Sequence, residues 1–149
     1  MRAFLVVLLS VVVVSALAAA IYFVTSRSPE VSTAHPLPDA VSTIDGQLTT
    51  CSELFGETCS FDLQTEFNTW GAGIEQFVDA GSLGPFARGI GFVASAKLSL
   101  QACGVGSAAG RTVLDFNDLA RIEHPEASTT DLFPFWNSSR QFLCPTANS

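Results

Sequence analysis

Apolar residues are arranged in two different ways along this chain. Residues 3–24 form one block of 22 residues without a charge. Beyond residue 60 the apolar positions recur at steps of three and four. Leu63, Phe67, Trp70, Ile74 and Phe77 follow at 4, 3, 4 and 3, the spacing of one helix face. Ser60 stands where a cap belongs. Gly71 and Gly73 interrupt this stripe and predict close packing or a kink, since each weakens a helix by about 1 kcal/mol against alanine. The run "GSLGP" ends the helix, and Pro85 suits the first turn of the next. Phe92, Ala96, Leu100 and Cys103 share a face of that second helix, and the glycines of "CGVGSAAG" close it.

Two capping boxes follow. Thr112-x-x-Asp115 precedes Phe116, Leu119 and Ile122, with Pro125 closing the helix. Ser128-x-x-Asp131 precedes Leu132, Phe135, Ser139 and Phe142, in a helix that runs out at Cys144 and Pro145. In each box a hydroxyl accepts from the third backbone N–H, and that residue's carboxylate accepts in return from the cap. Pro134 is placed in the first turns, where proline is tolerated. Leu48, Cys51 and Phe55 suggest a further short helix over residues 47–55. No segment alternates cleanly enough to predict a strand, so the expected class is all-α.

The N-terminal block changes the picture of compartment. As a helix it would be about 33 Å long, enough to cross a hydrocarbon core of about 30 Å. A cleaved signal has an apolar core of about 7–15 residues. Here "IYFV" continues past the small residues Ala18 and Ala20. The block therefore reads as a signal-anchor with its N-terminus in the cytoplasm, and a cleaved signal peptide is the alternative. Three prolines between residues 26 and 40 mark an extended linker. The expected organisation is a signal-anchor or signal peptide over 1–25, a Pro-rich extracytoplasmic linker over 26–46 and a helical domain over 47–149. About 100 residues then remain for one modest core.

Four cysteines, Cys51, Cys59, Cys103 and Cys144, all fall in that outer part. An even number in an exported domain argues for disulfides. Three connectivities are open, and local spacing favours Cys51–Cys59, which leaves Cys103–Cys144. Closing these loops stabilises a small domain by roughly 2.5 and roughly 4 kcal/mol in the chain-entropy account. A zinc site is disfavoured, because Cys-x-x-Cys pairs and neighbouring histidines are missing.

The stretches "SLQAC" (99–103), "DFNDLARIEHPEAS" (115–128) and "FLCP" (142–145) resemble a family of small exported actinobacterial proteins best known from mycobacteria. In that family a helix ending in Cys is followed by a short amphipathic helix, a Pro-containing turn and a last helix ending in Cys-Pro. The resemblance implies a small disulfide-bonded α-helical domain outside the membrane, and no enzymatic activity. The Cys51–Cys59 pair, the acidic front half and the long apolar N-terminus depart from the family's pattern.

Charge separates the two halves. Residues 28–87 carry nine acids and no Lys or Arg, whereas residues 88–149 carry five of each sign. A net charge of −7 disfavours nucleic acid as a partner. Glu53, Glu57, Asp62 and Glu66 form a candidate docking face for a basic partner. Phe67, Trp70, Phe77, Phe92, Phe135 and Trp136 form a candidate apolar pocket. Catalysis finds little footing. His35 lies in the linker and His124 at a helix end, and paired cysteines offer no thiolate. The pairs Asp115/Asp118 and Glu123/Glu126 are ordinary on a helix surface. No catalytic residue, cofactor or metal is expected. Two readings follow: a membrane-tethered interaction or accessory protein of the cell envelope, or a secreted helical carrier or sensor of an apolar small molecule or lipid.

Overall fold

The computed structural model describes residues 38–145. The apolar block at 3–24, most of the linker with His35, and the last four residues lie outside the described residues, and with them the expected membrane anchor. Among the described residues no helix is long and apolar enough to cross a membrane.

The described chain is mostly helical. Strands β1 (Val41–Ile44) and β2 (Gln47–Thr50) lead into helix α1 (Cys51–Phe55). Helix α2 (Phe61–Trp70) passes through a 3₁₀ turn (Gly71–Gly73) into α3 (Ile74–Asp79). The long α4 (Gly84–Ser107), α5 (Val113–Glu123) and α6 (Thr129–Ser138) follow, and a π turn (Ser139–Leu143) ends the fold. Helix α4 is the central element: α1, α2, α3, α5, α6 and the π turn all pack against it.

Local chemistry sets most boundaries. Both expected capping boxes are formed, at Thr112/Asp115 and Ser128/Asp131. Ser60 caps α2 by accepting from the Leu63 N–H. A third box, Thr50/Glu53, starts α1 at Cys51, so the residues before it are free to pair as a strand. His124 is the C-cap of α5. Pro134 sits deeper than expected, inside α6 at its sixth residue, where the missing N–H leaves the exposed end of the helix without one ladder bond.

The hairpin is a departure from the all-helical expectation, and it occupies the end of the expected linker. Val41 pairs with Thr50 and Ile44 with Gln47, antiparallel. Asp45 and Gly46 both have positive φ, at 51° and 74°, the geometry of a two-residue type I′ turn. The hairpin is tied to the helices. The side-chain amide of Asn68 donates to the Pro38 carbonyl at 2.7 Å, and the Asp45 N–H donates to Glu75 Oε1 at 2.7 Å. Gly71 is where the hairpin approaches most closely, since a Cβ there would lie 2.7 Å from Ser42 Oγ. The two interrupting glycines thus mark both a break in the stripe and a close contact, made by a strand rather than a helix.

Leu63, Phe67, Ile74 and Phe77 are buried as the stripe requires, and they meet Leu98, Leu100, Phe116, Leu132 and Phe135 in one core. Gly91 (φ 84°, ψ 175°) kinks α4 near its start, and the Ser95 hydroxyl donates to the Ala87 carbonyl across the kink. Both disulfides are formed with the favoured pairing. Cys51–Cys59 spans 6.2 Å and Cys103–Cys144 spans 5.8 Å between Cα atoms. The first closes α1 onto the start of α2. The second fastens the end of the chain to α4.

Candidate functional site

Helix α2 carries Asp62 and Glu66 four residues apart, hence on neighbouring positions of one face. Asp62 is exposed, whereas Glu66 is only 8% exposed. The reason is periodic. Glu66 lies three residues after Leu63 and four before Trp70, inside the apolar stripe, so it turns toward α4 with its apolar neighbours. Gly104 receives it there. A Cβ at Gly104 would collide with the Glu66 carboxylate, so the acid lies against bare helix backbone.

Burial has a chemical consequence. Glu66 Oε2 is shut off from solvent and has no hydrogen-bond partner. Desolvation first, and the nearby Asp62 charge second, push the Glu66 carboxyl up to about 8. It is therefore mainly protonated at neutral pH. Other carboxylates behave oppositely. Asp115 is held low by the Thr112 backbone N–H and the Arg111 guanidinium, and Glu53 by the Thr50 backbone N–H and hydroxyl.

Glu66 borders a groove of about 510 Å³ between α2, the end of α4 and the start of α5. Its apolar lining includes Phe61, Leu63, Trp70, Val105 and Leu119. Its charged lining is Asp62, Glu66, Arg111 and Asp115. Arg111 Nη1 lies 3.0 Å from Asp115 Oδ1, which leaves two acids of α2 without a counter-charge in the groove. A protonated carboxyl there can donate a hydrogen bond, or give up its proton to solvent and pair as a carboxylate with an incoming cation. The described histidine, His124, does not line the groove, and the groups there that can exchange protons are the carboxyls of Asp62, Glu66 and Asp115.

The expected docking face is divided by the fold. Glu53 is exposed and caps α1. Glu57 lies 2.5 Å from Lys97 Nζ, which also meets Glu123 at 2.8 Å. Asp62 and Glu66 share the groove. Glu66 thus does not belong to an exposed acidic face, because helical phase turns it inward. The six aromatics of the expected pocket are likewise dispersed. Phe67, Phe77, Phe135 and Trp136 are buried in the core. Trp136 stacks on Phe116 at 6.0 Å, with Arg140 over its ring at 4.7 Å. Trp70 lines the groove, and Phe92 lines a separate depression of about 260 Å³ at the α4 kink. The four core rings line neither of these, so the six do not converge on one pocket among the described residues.

Sequence reasoning missed Gly104, Phe61 and Arg111 as groove residues. A glycine inside a helix facing an acid in phase with an apolar stripe was the available signal. Among the described residues no group of three or more His, Cys, Asp or Glu could hold a metal ion.

The fold and groove define a disulfide-stapled helical domain with a small β-hairpin and a half-apolar, acid-bearing groove. Compared with protein-family models, with curated proteins and with solved structures, the chain matches none.

Proposed function

We propose that this chain is a membrane-tethered extracytoplasmic interaction or accessory protein of the cell envelope, without catalytic activity of its own. The observation that carries the reading is the groove beside α2, half apolar and bearing Asp62 and the partnerless Glu66. It has the make-up of a recognition surface, an apolar lining with acids set into it. The two disulfides support an oxidising compartment, since such bonds persist outside the cytoplasm. The N-terminal apolar block supports a tether, and the resemblance to small exported actinobacterial proteins agrees with both. A secreted carrier of an apolar molecule has less support, because four of its six aromatics belong to the core.

Photo-cross-linking in intact cells tests this reading. A photoreactive residue in place of Phe61, at the groove edge, should capture a defined envelope protein. The same residue in place of exposed Thr130, on α6, should not. Equal capture from both positions, or disulfide-free protein recovered from the cytoplasm, would contradict the reading.

A further inference from the structure

Glu66 is a buried acid that opens on a groove. It is more than nine-tenths buried, its Oε2 has no partner, and it borders a groove large enough for a ligand side chain. Pockets that take small ligands have volumes of about 300–1,000 Å³, and this groove falls within that range. Its charged groups are Asp62 and Glu66 from α2 and the mutually paired Arg111 and Asp115 from the start of α5. Helix α4 brings Gln101, Gly104, Val105 and Ser107 to the groove and no charge. Three carboxyl groups therefore face one guanidinium that already has a partner. Nor do residues 28–87 supply a cation, since they hold no Lys or Arg.

We propose that this groove takes a lysine or arginine side chain from an extended segment of a partner protein, with Glu66 as its counter-charge. The proposal rests on the interaction reading above and names the chemistry of the partner. An anionic occupant would meet the Asp62 charge with the same sign and would oppose ionisation of Glu66. A neutral occupant would leave Asp62 without compensation. A cation on an alkyl stem satisfies both parts of the lining: Trp70 and Phe61 flank the stem, and the charge reaches the carboxyl. An aromatic face also attracts a cation directly.

Occupancy and protonation are then linked. The free groove holds Glu66 protonated at neutral pH, because burial lifts its titration to about 8. A bound cation favours the carboxylate, so docking expels the proton. Affinity should rise with pH until the free site is itself ionised, by about tenfold per pH unit well below the free titration point.

The test uses the full-length, disulfide-bonded chain in neutral detergent micelles, with blocked hexa-lysine as probe and blocked hexa-serine and hexa-glutamate as controls. Calorimetry at pH 7 in two buffers of different ionisation heat counts the protons. Hexa-lysine should bind with release of about one proton per site, and affinity should rise about tenfold from pH 6 to pH 7. Glu66→Gln should remove both the proton release and the pH dependence. Gly104→Ala, which displaces the Glu66 side chain without altering it, should do the same. Binding by hexa-serine as tight as by hexa-lysine, or wild-type binding without proton release, would overturn the proposal. An in-cell partner captured at Phe61 but insensitive to Glu66→Gln would also overturn it, while leaving the interaction reading in place. Proton-coupled hexa-lysine binding without any captured partner would uphold the groove chemistry and count against the envelope role alone.

Discussion

Two acids of the front half reach helix α4, and α4 treats them differently. Near its middle, Lys97 meets Glu57 at 2.5 Å and Glu123 at 2.8 Å. Near its end, Gly104 offers Glu66 only backbone, and Glu66 Oε2 has no partner. The first arrangement joins three elements by charge. Burial lowers the lysine's affinity for its proton, but the hydrogen bonds that Lys97 donates to Glu123 and Glu57 outweigh this and hold it above the ordinary lysine range. The second arrangement takes on a desolvation penalty that a leucine at position 66 would avoid. An unpaired buried acid is costly, and the proposed cation site is what would offset that cost. One helix thus faces a satisfied ion-pair cluster and an unpaired buried acid, separated by two turns.

The largest effect should come from releasing the end of α4 that carries Gly104. Cys103→Ser with Cys144→Ser should cost about 2–5 kcal/mol in denaturant unfolding, with the Glu66 site loosened in the same variant. A smaller loss than that from opening Cys51–Cys59 would argue that the hairpin end, and not this end, carries the stability of the groove.

Glu66→Gln should sharpen the comparison next. A carboxyl whose titration is raised by folding binds its proton more tightly in the folded state. Its contribution is fully present below the ordinary carboxyl range and is lost as pH rises toward about 8. Wild-type stability should therefore fall by on the order of 1 kcal/mol per pH unit across that window. The variant should be flat there, as chemical denaturation at a series of pH values would show. Both proteins should lose stability below the carboxylate range, where Asp115, Asp131 and Glu53 give up the hydrogen bonds that hold them low.

Gly104→Ala should act on the same slope by a different route. A Cβ there expels the Glu66 side chain, which is flexible enough to swing out. The helix gains about 1 kcal/mol of propensity, offset by repacking, so stability at pH 5 should change little. The slope between the ordinary carboxyl range and about 8 should vanish. A retained slope would mean that Glu66 is not seated against Gly104.

Lys97→Met should have the smallest effect, about 0–1 kcal/mol. Glu57 and Glu123 are about half exposed and can return to water. The loss should be uniform through neutral pH and smaller in high salt. A cost of several kcal/mol would erase the distinction drawn between the two sites.

How much of this was legible in sequence varies by element. Capping boxes are short-range chemistry, and Thr112/Asp115 and Ser128/Asp131 formed as the residues imply. The disulfides followed from loop length. The α2 stripe was legible because helical phase is local, and its glycines correctly signalled a break. The hairpin was not. Its inward positions are Ser42 and Ile44 and its outward ones Val41 and Thr43, so polar and apolar residues do not alternate with burial. The one signal was the Asp45–Gly46 dipeptide. Glu66 was misplaced because its charge outweighed its phase, and Gly104 because a glycine late in a helix reads as a stop. The groove depends on a pairing of α2 with α4 across roughly forty residues, which no local pattern contains.

The titration midpoint of Glu66 in the folded chain is the most direct measure of whether the acid is buried with its proton. Carbon-13 labelling of the glutamate carboxyls, with the Glu66 resonance assigned by Glu66→Gln, would follow it through a pH series. The account predicts a midpoint at about 8, returning to the ordinary carboxyl range in Gly104→Ala. A midpoint in that ordinary range for the wild type would contradict it, since the acid would then be hydrated and the groove would hold no buried proton.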